Sequence, residues 1–309
     1  MTALRIATRR SPLALWQARW VAQQLERHHH GLETELVEMT TTGDRIQDRP
    51  LATAGGKGLF LKELERGLLD GTADIAVHSM KDVTVSLPDG LCIPVMCPRE
   101  DPRDAFVSNR YASLDALPAA AVIGTSSLRR QTQIKHRYPH LTVLTLRGNV
   151  NTRLSKLDAG EFDAILLAVA GLIRLGFEER IRSRIDPDIL LPAVGQGVMG
   201  IECRVDDRCV GDLIGCLNDP DSMIAVTAER RVNAALEGGC QVPIAAYADA
   251  PDRNLLRLRA LVGTPDGETV LEAEHSDHPT KADEIGDRVA RSLIEQGAPR
   301  ILDSVYARG

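Results

Sequence analysis

Five short stretches carry residue types able to do chemistry. Three combine arginines with hydroxyl or amide side chains: Thr8-Arg9-Arg10-Ser11, Thr125-Ser126-Ser127-Leu128-Arg129-Arg130, and Leu146-Arg147-Gly148-Asn149 with Thr152 and Arg153 just behind. Guanidinium forks beside such groups suit bidentate binding of carboxylates or phosphates. The fourth, His78-Ser79-Met80-Lys81-Asp82, sets an acid next to a lysine and is a candidate general acid/base. The fifth, Gly238-Gly239-Cys240-Gln241-Val242-Pro243, holds a thiol between glycines and a proline. Such a loop can present sulfur as a nucleophile. Each stretch also has a plain structural reading, as surface ion pairs or as an inert turn cysteine.

The elements around these stretches decide between the two readings. Leu4–Thr8 reads as a short strand, and Ser11-Pro12 opens a helix with serine as N-cap and proline at the first position. Further strands are expected at Glu33–Met39, Asp74–His78, Ala105–Ser108, Val122–Thr125 and Thr142–Leu146. Asp163–Ala170 reads as one more, buried on both faces. Helices are expected at Leu59–Leu69, Ser127–His136 and Val150–Leu157. This alternation predicts doubly wound α/β layers, in which ligands gather beyond the carboxyl ends of strands. All three arginine clusters fall there, at the start of a helix, where free N–H groups attract anions. Arginine at that end opposes the helix dipole, which weakens a purely structural reason for it.

Two stretches look like crossings between lobes, Pro94 to Pro102 and Pro192 to Gly200. Beyond Asn218 the pattern changes to a helix (Ser222–Leu236), strands near Ile244–Ala248, Leu255–Val262 and Thr269–Glu274, and a last helix over Ala282–Gln296. The expected division is 1–97 with 198–216, then 98–197, then a small α+β domain over 217–309.

Composition narrows the function. The chain has 309 residues, a net charge of −6 and 43% hydrophobic residues, as a globular protein with a real core would. An acidic total and only two Trp, four Tyr and four Phe argue against nucleic-acid binding. The charge is uneven. Between Thr125 and Gly160 seven basic residues face one acid, a window of +6 that leaves −12 for the rest, as expected for a bound polyanion of modest size. The longest uncharged apolar run, Ala164 to Ile173, is ten residues, short of the ~20 a membrane span needs. The first residues show no export signal, so a cytoplasmic location is expected.

Other motifs fall away on inspection. Gly195-Gln196-Gly197-Val198-Met199-Gly200 fits GxGxxG literally, but strand-like residues follow it where a dinucleotide site needs a helix. Gly55-Gly56-Lys57-Gly58 lacks the ending of a P-loop. The six cysteines show no zinc-like spacing, and His28-His29-His30 reads as a solvated helix end, so no metal is expected.

Taken together the motifs resemble the porphobilinogen deaminase (hydroxymethylbilane synthase) family. The likeness runs from Ile6-Ala7-Thr8-Arg9 and Ser11-Pro12-Leu13-Ala14 through Gly55–Phe60, His78–Val83, Arg99–Ser108, Gly124–Arg130, Arg147–Gly176 and Leu191–Gly197 to Glu237–Pro243, nearly the whole chain. It implies two domains like type-II periplasmic binding proteins and a third bearing the cofactor cysteine. It also implies a dipyrromethane cofactor joined to Cys240 by a thioether, Asp82 as catalytic carboxylate, and a monomer. Lys81, Ser127, Arg129 and Arg130 would hold the cofactor with Asp82. Arg9, Ser11, Ser79, Arg147, Arg153 and Arg174 would hold porphobilinogen units.

The chemistry agrees with the residues. Each porphobilinogen brings two carboxylates, so a growing chain needs many cations at once. Loss of ammonia leaves a cationic methylene-pyrrole that the α-carbon of the bound chain attacks, and one aspartate could steady each cation and shuttle protons. The tether keeps successive encounters local through four additions and a final hydrolysis. Three positions depart from the family pattern: Thr84 in place of proline, which threatens to loosen the aspartate loop, Thr53 in place of lysine, and Val198 in place of alanine. The competing reading is a non-enzymatic carboxylate-binding protein, in which Asp82 and Cys240 would have no task.

Overall fold

The computed structural model describes residues 3–45, 58–59, 61–238 and 242–307. Thr53 and Cys240 lie outside the described residues, as does most of the Gly55–Gly58 stretch. In chain order the elements are β1 (Leu4–Arg9), α1 (Pro12–His28), β2 (Thr34–Met39), α2 (Thr42–Arg45), α3 (Lys62–Leu69), β3 (Ile75–Ser79), β4 (Leu91–Met96), β5 (Asp104–Val107), β6 (Val122–Gly124), α4 (Leu128–Arg137), β7 (Thr142–Leu144) and α5 (Val150–Asp158). They continue with β8 (Ala164–Ala168), α6 (Val169–Arg174), β9 (Ser183–Ile185), β10 (Met199–Arg204), α7 (Arg208–Ile214), α8 (Pro220–Ala235), β11 (Ile244–Asp252), β12 (Leu255–Gly263), β13 (Val270–Asp277), α9 (Ala282–Glu295) and α10 (Ala298–Tyr306).

The chain divides into two compact units. The first comprises Met1–Glu100 and Val198–Met223. Its sheet has the order β2-β1-β3-β10-β4, with β1 parallel to β2 and β3, and β10 antiparallel to β3 and β4. Leu4, Ile6, Ile75, Val77, Val95 and Ile201 pack one face against Val21 and Leu25 of α1. Ala7, Ala76 and Leu91 pack the other against Leu64 and Leu68 of α3. Alternation of side chains along each strand makes this possible.

The second unit comprises Asp101–Gly197 and Ile224–Gly309. One sheet repeats the first arrangement as β7-β6-β8-β5-β9, again with three parallel strands, here β7, β6 and β8, and one strand, β5, antiparallel to both neighbours. Phe106, Ile123, Ile134 and Leu166 form one core layer, and Val107, Leu154, Leu157 and Ile165 the other. The other sheet is the antiparallel meander β11-β12-β13, sealed by Val232 of α8 and Ile285, Val289 and Leu293 of α9. Within this unit α4 is tied to the β12–β13 turn. Thr132 Oγ1 donates to Thr264 O (2.9 Å) and Gln131 Nε2 to Pro265 O (3.0 Å).

Several expectations need correction. Asp163–Ala170 is not one strand: β8 ends at Ala168, opposite Asp104 at the start of β5, and α6 begins at the next residue. An unbroken apolar run fits a buried strand and a buried helix equally, and the length of the partner strand decides where the ladder stops. Pro94 is no linker residue but lies in β4, at the edge of its sheet, where a missing N–H costs no ladder bond. The crossing starts after it. Strands β4 and β9 and helices α7 and α10 went unforeseen, the strands because they are edge pieces with little alternation. Both larger sheets are mixed, each with one reversed strand, β10 or β5, that starts where a crossing segment ends. His28 and His30 are exposed, while His29 Nε2 donates to Leu213 O (2.8 Å).

Candidate functional site

In the first unit the parallel strands β1 and β3 are direct neighbours, with Ile6 level with Ile75 and Ala7 with Ala76. Their carboxyl ends therefore adjoin, bringing Arg9 and Ser11 to the same edge as Ser79, Lys81 and Asp82. Arg9, Ser11, Ser79, Lys81 and Asp82 are all half-buried. Ser11 caps α1, its Oγ accepting from Ala14 N (3.3 Å), and proline at the next position presets the first turn. Gln17, buried on α1, donates from Nε2 to Ser79 Oγ (2.9 Å) and so ties helix to strand end. Gln17 carried no signal in the sequence beyond its place on the apolar face of that helix.

Asp82 ends a single 3-10 turn, Met80–Asp82, directly after β3. The turn is pinned by Met80 N donating to Val198 O (3.0 Å) and Val83 N to Met80 O (3.2 Å). The departure at Val198 thus sits against the aspartate turn, its own side chain only 1% exposed. Thr84 Oγ1 donates to Ser86 O (2.8 Å), a local tie where the family's proline ring would restrict the chain. Behind the turn His78 Nε2 meets Glu202 Oε2 of β10 at 2.8 Å, both groups buried. Burial and then the nearby Glu202 push the Glu65 carboxyl above its ordinary range.

In the second unit the turns after β6 and β7 lie side by side. Thr125 N donates to Leu144 O (3.0 Å), and Arg153 reaches across from Nη2 to Ser126 Oγ (3.4 Å). Asn149 caps α5 by accepting from Thr152 N (2.9 Å), and Arg153 Nε donates to Gly148 O (2.8 Å). Gly148 has φ +113°, and a Cβ there would come within 2.6 Å of Thr152, so only glycine fits. Arg147 is half-buried in this turn. Arg174, at the end of α6 and 8% exposed, donates from Nη2 to Gly197 O (2.7 Å) in the crossing segment.

Ser127 caps α4 through Arg130 N (3.4 Å). Arg129 and Arg130 turn inward, 4% and 5% exposed, onto Asp104 of β5. Arg130 donates from Nε (3.0 Å) and Nη2 (2.7 Å) to Asp104 Oδ1 and from Nη1 to Leu166 O (2.8 Å). Arg129 Nη2 lies 2.8 Å from Asp104 Oδ2, and Gln196 Nε2 donates to Asp104 Oδ1 (3.0 Å). Burial alone would raise the Asp104 pKa, but the two guanidiniums hold it below the usual carboxylate range. Burial lowers that of Arg129. Asp104 and Gln196, which hold the two guanidiniums here, were not singled out from the sequence although both stood inside motifs it quoted.

Fold and site together define a mixed α/β protein in which each unit sets guanidinium and hydroxyl groups at the carboxyl ends of its parallel strands, with the Asp82 carboxylate among them in the first. The family model "Porphobilinogen deaminase, dipyromethane cofactor binding domain" matches residues 4–212, and "Porphobilinogen deaminase, C-terminal domain" matches residues 223–295. The chain belongs to the porphobilinogen deaminase family. It is a transferase with a dipyrromethane cofactor. It condenses four porphobilinogen units head to tail with loss of ammonia and releases hydroxymethylbilane, the linear tetrapyrrole, by hydrolysis.

Among solved structures the chain is similar to the VFT2 domain of BvgS from Bordetella pertussis (18% identity over 71% of this chain and 86% of that one, TM-score 0.42). It is also similar to a periplasmic substrate-binding protein of an ABC transporter from Coxiella burnetii (14%, 71% and 94%, 0.45). A third similar structure is a nutrient binding protein from Burkholderia cenocepacia bound to methionine (12%, 71% and 93%, 0.44). No helix among the described residues is long and apolar enough to cross a membrane.

Proposed function

We propose that Asp82 is the catalytic carboxylate of the condensation, with Arg9, Ser11 and Ser79 beside it and Lys81 on the same turn. The supporting observation is the adjacency of β1 and β3, which sets these groups on one sheet edge. One ionised carboxylate at the end of a strand can steady positive charge on a pyrrole nitrogen and carry the released proton at its Oδ atoms.

The donor set of the second unit fits a cofactor bearing carboxylates. Among the described residues Asp104 is the one acid paired with two buried guanidiniums, and Arg129 Nε has no hydrogen-bond partner there. Ser127, Arg129 and Arg130 would hold the dipyrromethane there, and Cys240 would anchor it as a thioether. When bound, the cofactor supplies the nucleophilic pyrrole α-carbon from which the chain grows. Arg147, Arg153 and Arg174 would bind the acetate and propionate groups of porphobilinogen units. The enzyme works as a monomer in the cytoplasm, in three domains: 1–97 with 198–216, 98–197 and 217–309.

Intact-mass measurement tests the anchor. The purified chain is expected to exceed its sequence mass by two linked pyrrole units, and Cys240→Ala is expected to show the bare chain mass with no stable adduct. A normal adduct on Cys240→Ala moves the anchor elsewhere. Arg147→Leu removes one charge-assisted contact worth ~1.5–3 kcal/mol, so kcat/KM for porphobilinogen is expected to fall by ~10–100-fold. Unchanged kinetics would make Arg147 an ordinary surface residue.

A further inference from the structure

Cys92 on β4 and Cys203 on β10 stand opposite each other in the antiparallel ladder. Their Sγ atoms are 3.9 Å apart although the residues are 111 positions apart in the chain. Cys203 is 2% exposed, whereas Cys92 is half-buried and open to small reagents. Directly opposed residues of an antiparallel pair hold their Cα atoms about 4.5–5.5 Å apart. A disulfide accepts about 4.4–6.8 Å, so side-chain rotation alone can close the remaining gap. Neither cysteine belongs to the proposed catalytic machinery.

We propose that Cys92 and Cys203 are a reversible redox modification site that a peroxide closes into a cross-strand disulfide. The Cys92 thiol ionises, its thiolate attacks one peroxide oxygen, the O–O bond breaks, and the departing hydroxide takes up the proton released by that ionisation and leaves as water. The resulting sulfenic acid is attacked by the Cys203 sulfur. The S–S bond forms, the sulfenic S–O bond breaks, and the hydroxide released takes the Cys203 proton as a second water. Two thiols lose two electrons in all, and the peroxide gains them.

The order of attack follows from burial. Desolvation, and then the neighbouring Cys92, pushes the Cys203 thiol up to about 12, so Cys203 stays protonated until its partner has been oxidised. The bond would join the last strand before the chain leaves the first unit to the strand on which it returns. It would also close a long loop, which restricts the unfolded chain and raises the thermal midpoint.

The test treats the cofactor-bearing enzyme with hydrogen peroxide, blocks remaining thiols, digests, and maps cross-linked peptides by mass spectrometry. The expected product is one peptide pair joining Cys92 to Cys203, in a chain about 2 Da lighter after two-electron oxidation. Dithiothreitol is expected to reverse it. The thermal midpoint of the oxidised protein is expected to rise by several degrees, with no such rise in Cys92→Ser. Cys203→Ala, a smaller perturbation of the buried position than serine, is expected to leave Cys92 as sulfenic or sulfinic acid without a cross-link. Conversion of Cys92 to sulfinic acid in the unsubstituted protein, or a disulfide that joins Cys92 or Cys203 to another cysteine, overturns the proposal.

Discussion

Asp82→Asn is expected to lower steady-state formation of the tetrapyrrole by ~10³-fold or more while leaving the attached cofactor in place. Asparagine keeps the shape of the side chain but carries no charge and accepts no proton at neutral pH. The turn itself should survive, since its two backbone ties, Met80 N to Val198 O and Val83 N to Met80 O, do not involve the carboxylate. Asp82→Glu keeps the charge but shifts it by about one bond length, which is expected to cost ~10–100-fold through misplacement alone. Rate assays paired with intact mass check both. If Asp82→Asn keeps a rate within tenfold of the unsubstituted enzyme, another group does the chemistry.

Asp104→Asn is expected to produce the largest loss of stability. The carboxylate is fully buried between Arg129 and Arg130, and its removal leaves two guanidinium charges in the interior with no counterion among the described residues. Breaking a buried pair from one side costs ~3–5 kcal/mol. For a domain of this size that corresponds to a fall of ~10 °C in the thermal midpoint.

The pH dependence has a definite sign. The folded-state pKa of Asp104 lies below its unfolded value, so its contribution is present at neutral pH and persists above the unfolded pKa. It fades as pH falls through the lower, folded value. The gap between the two proteins should therefore be wide at pH 7 and close only in strong acid, as thermal scans across pH would register. Equal midpoints at pH 7 would mean that the buried charges contribute no stability.

What could be read from the residues alone was mostly local. Ser11-Pro12 announced its helix because a cap is a contact between near neighbours, and Ser127 and Asn149 cap theirs in the same local way. The strand-end arginines and the Lys81-Asp82 pair were visible because helix starts and carboxyl ends of strands are themselves sequence events. Family likeness added the cofactor and the reaction, which no periodicity encodes.

The tertiary structure decided what depends on partners distant in the chain. It turned Arg129 and Arg130 inward onto Asp104, because β5 runs antiparallel beside β8 and brings an acid under α4. It put Pro94 into an edge strand and split the apolar run at Ala168, since a ladder ends where its neighbour ends. It also set Cys92 against Cys203, a meeting that depends on strand register. Capping and turn chemistry act over a few residues, so composition and spacing reveal them. Pairing of strands and neutralisation of buried charge act through space and are settled only when the sheet forms.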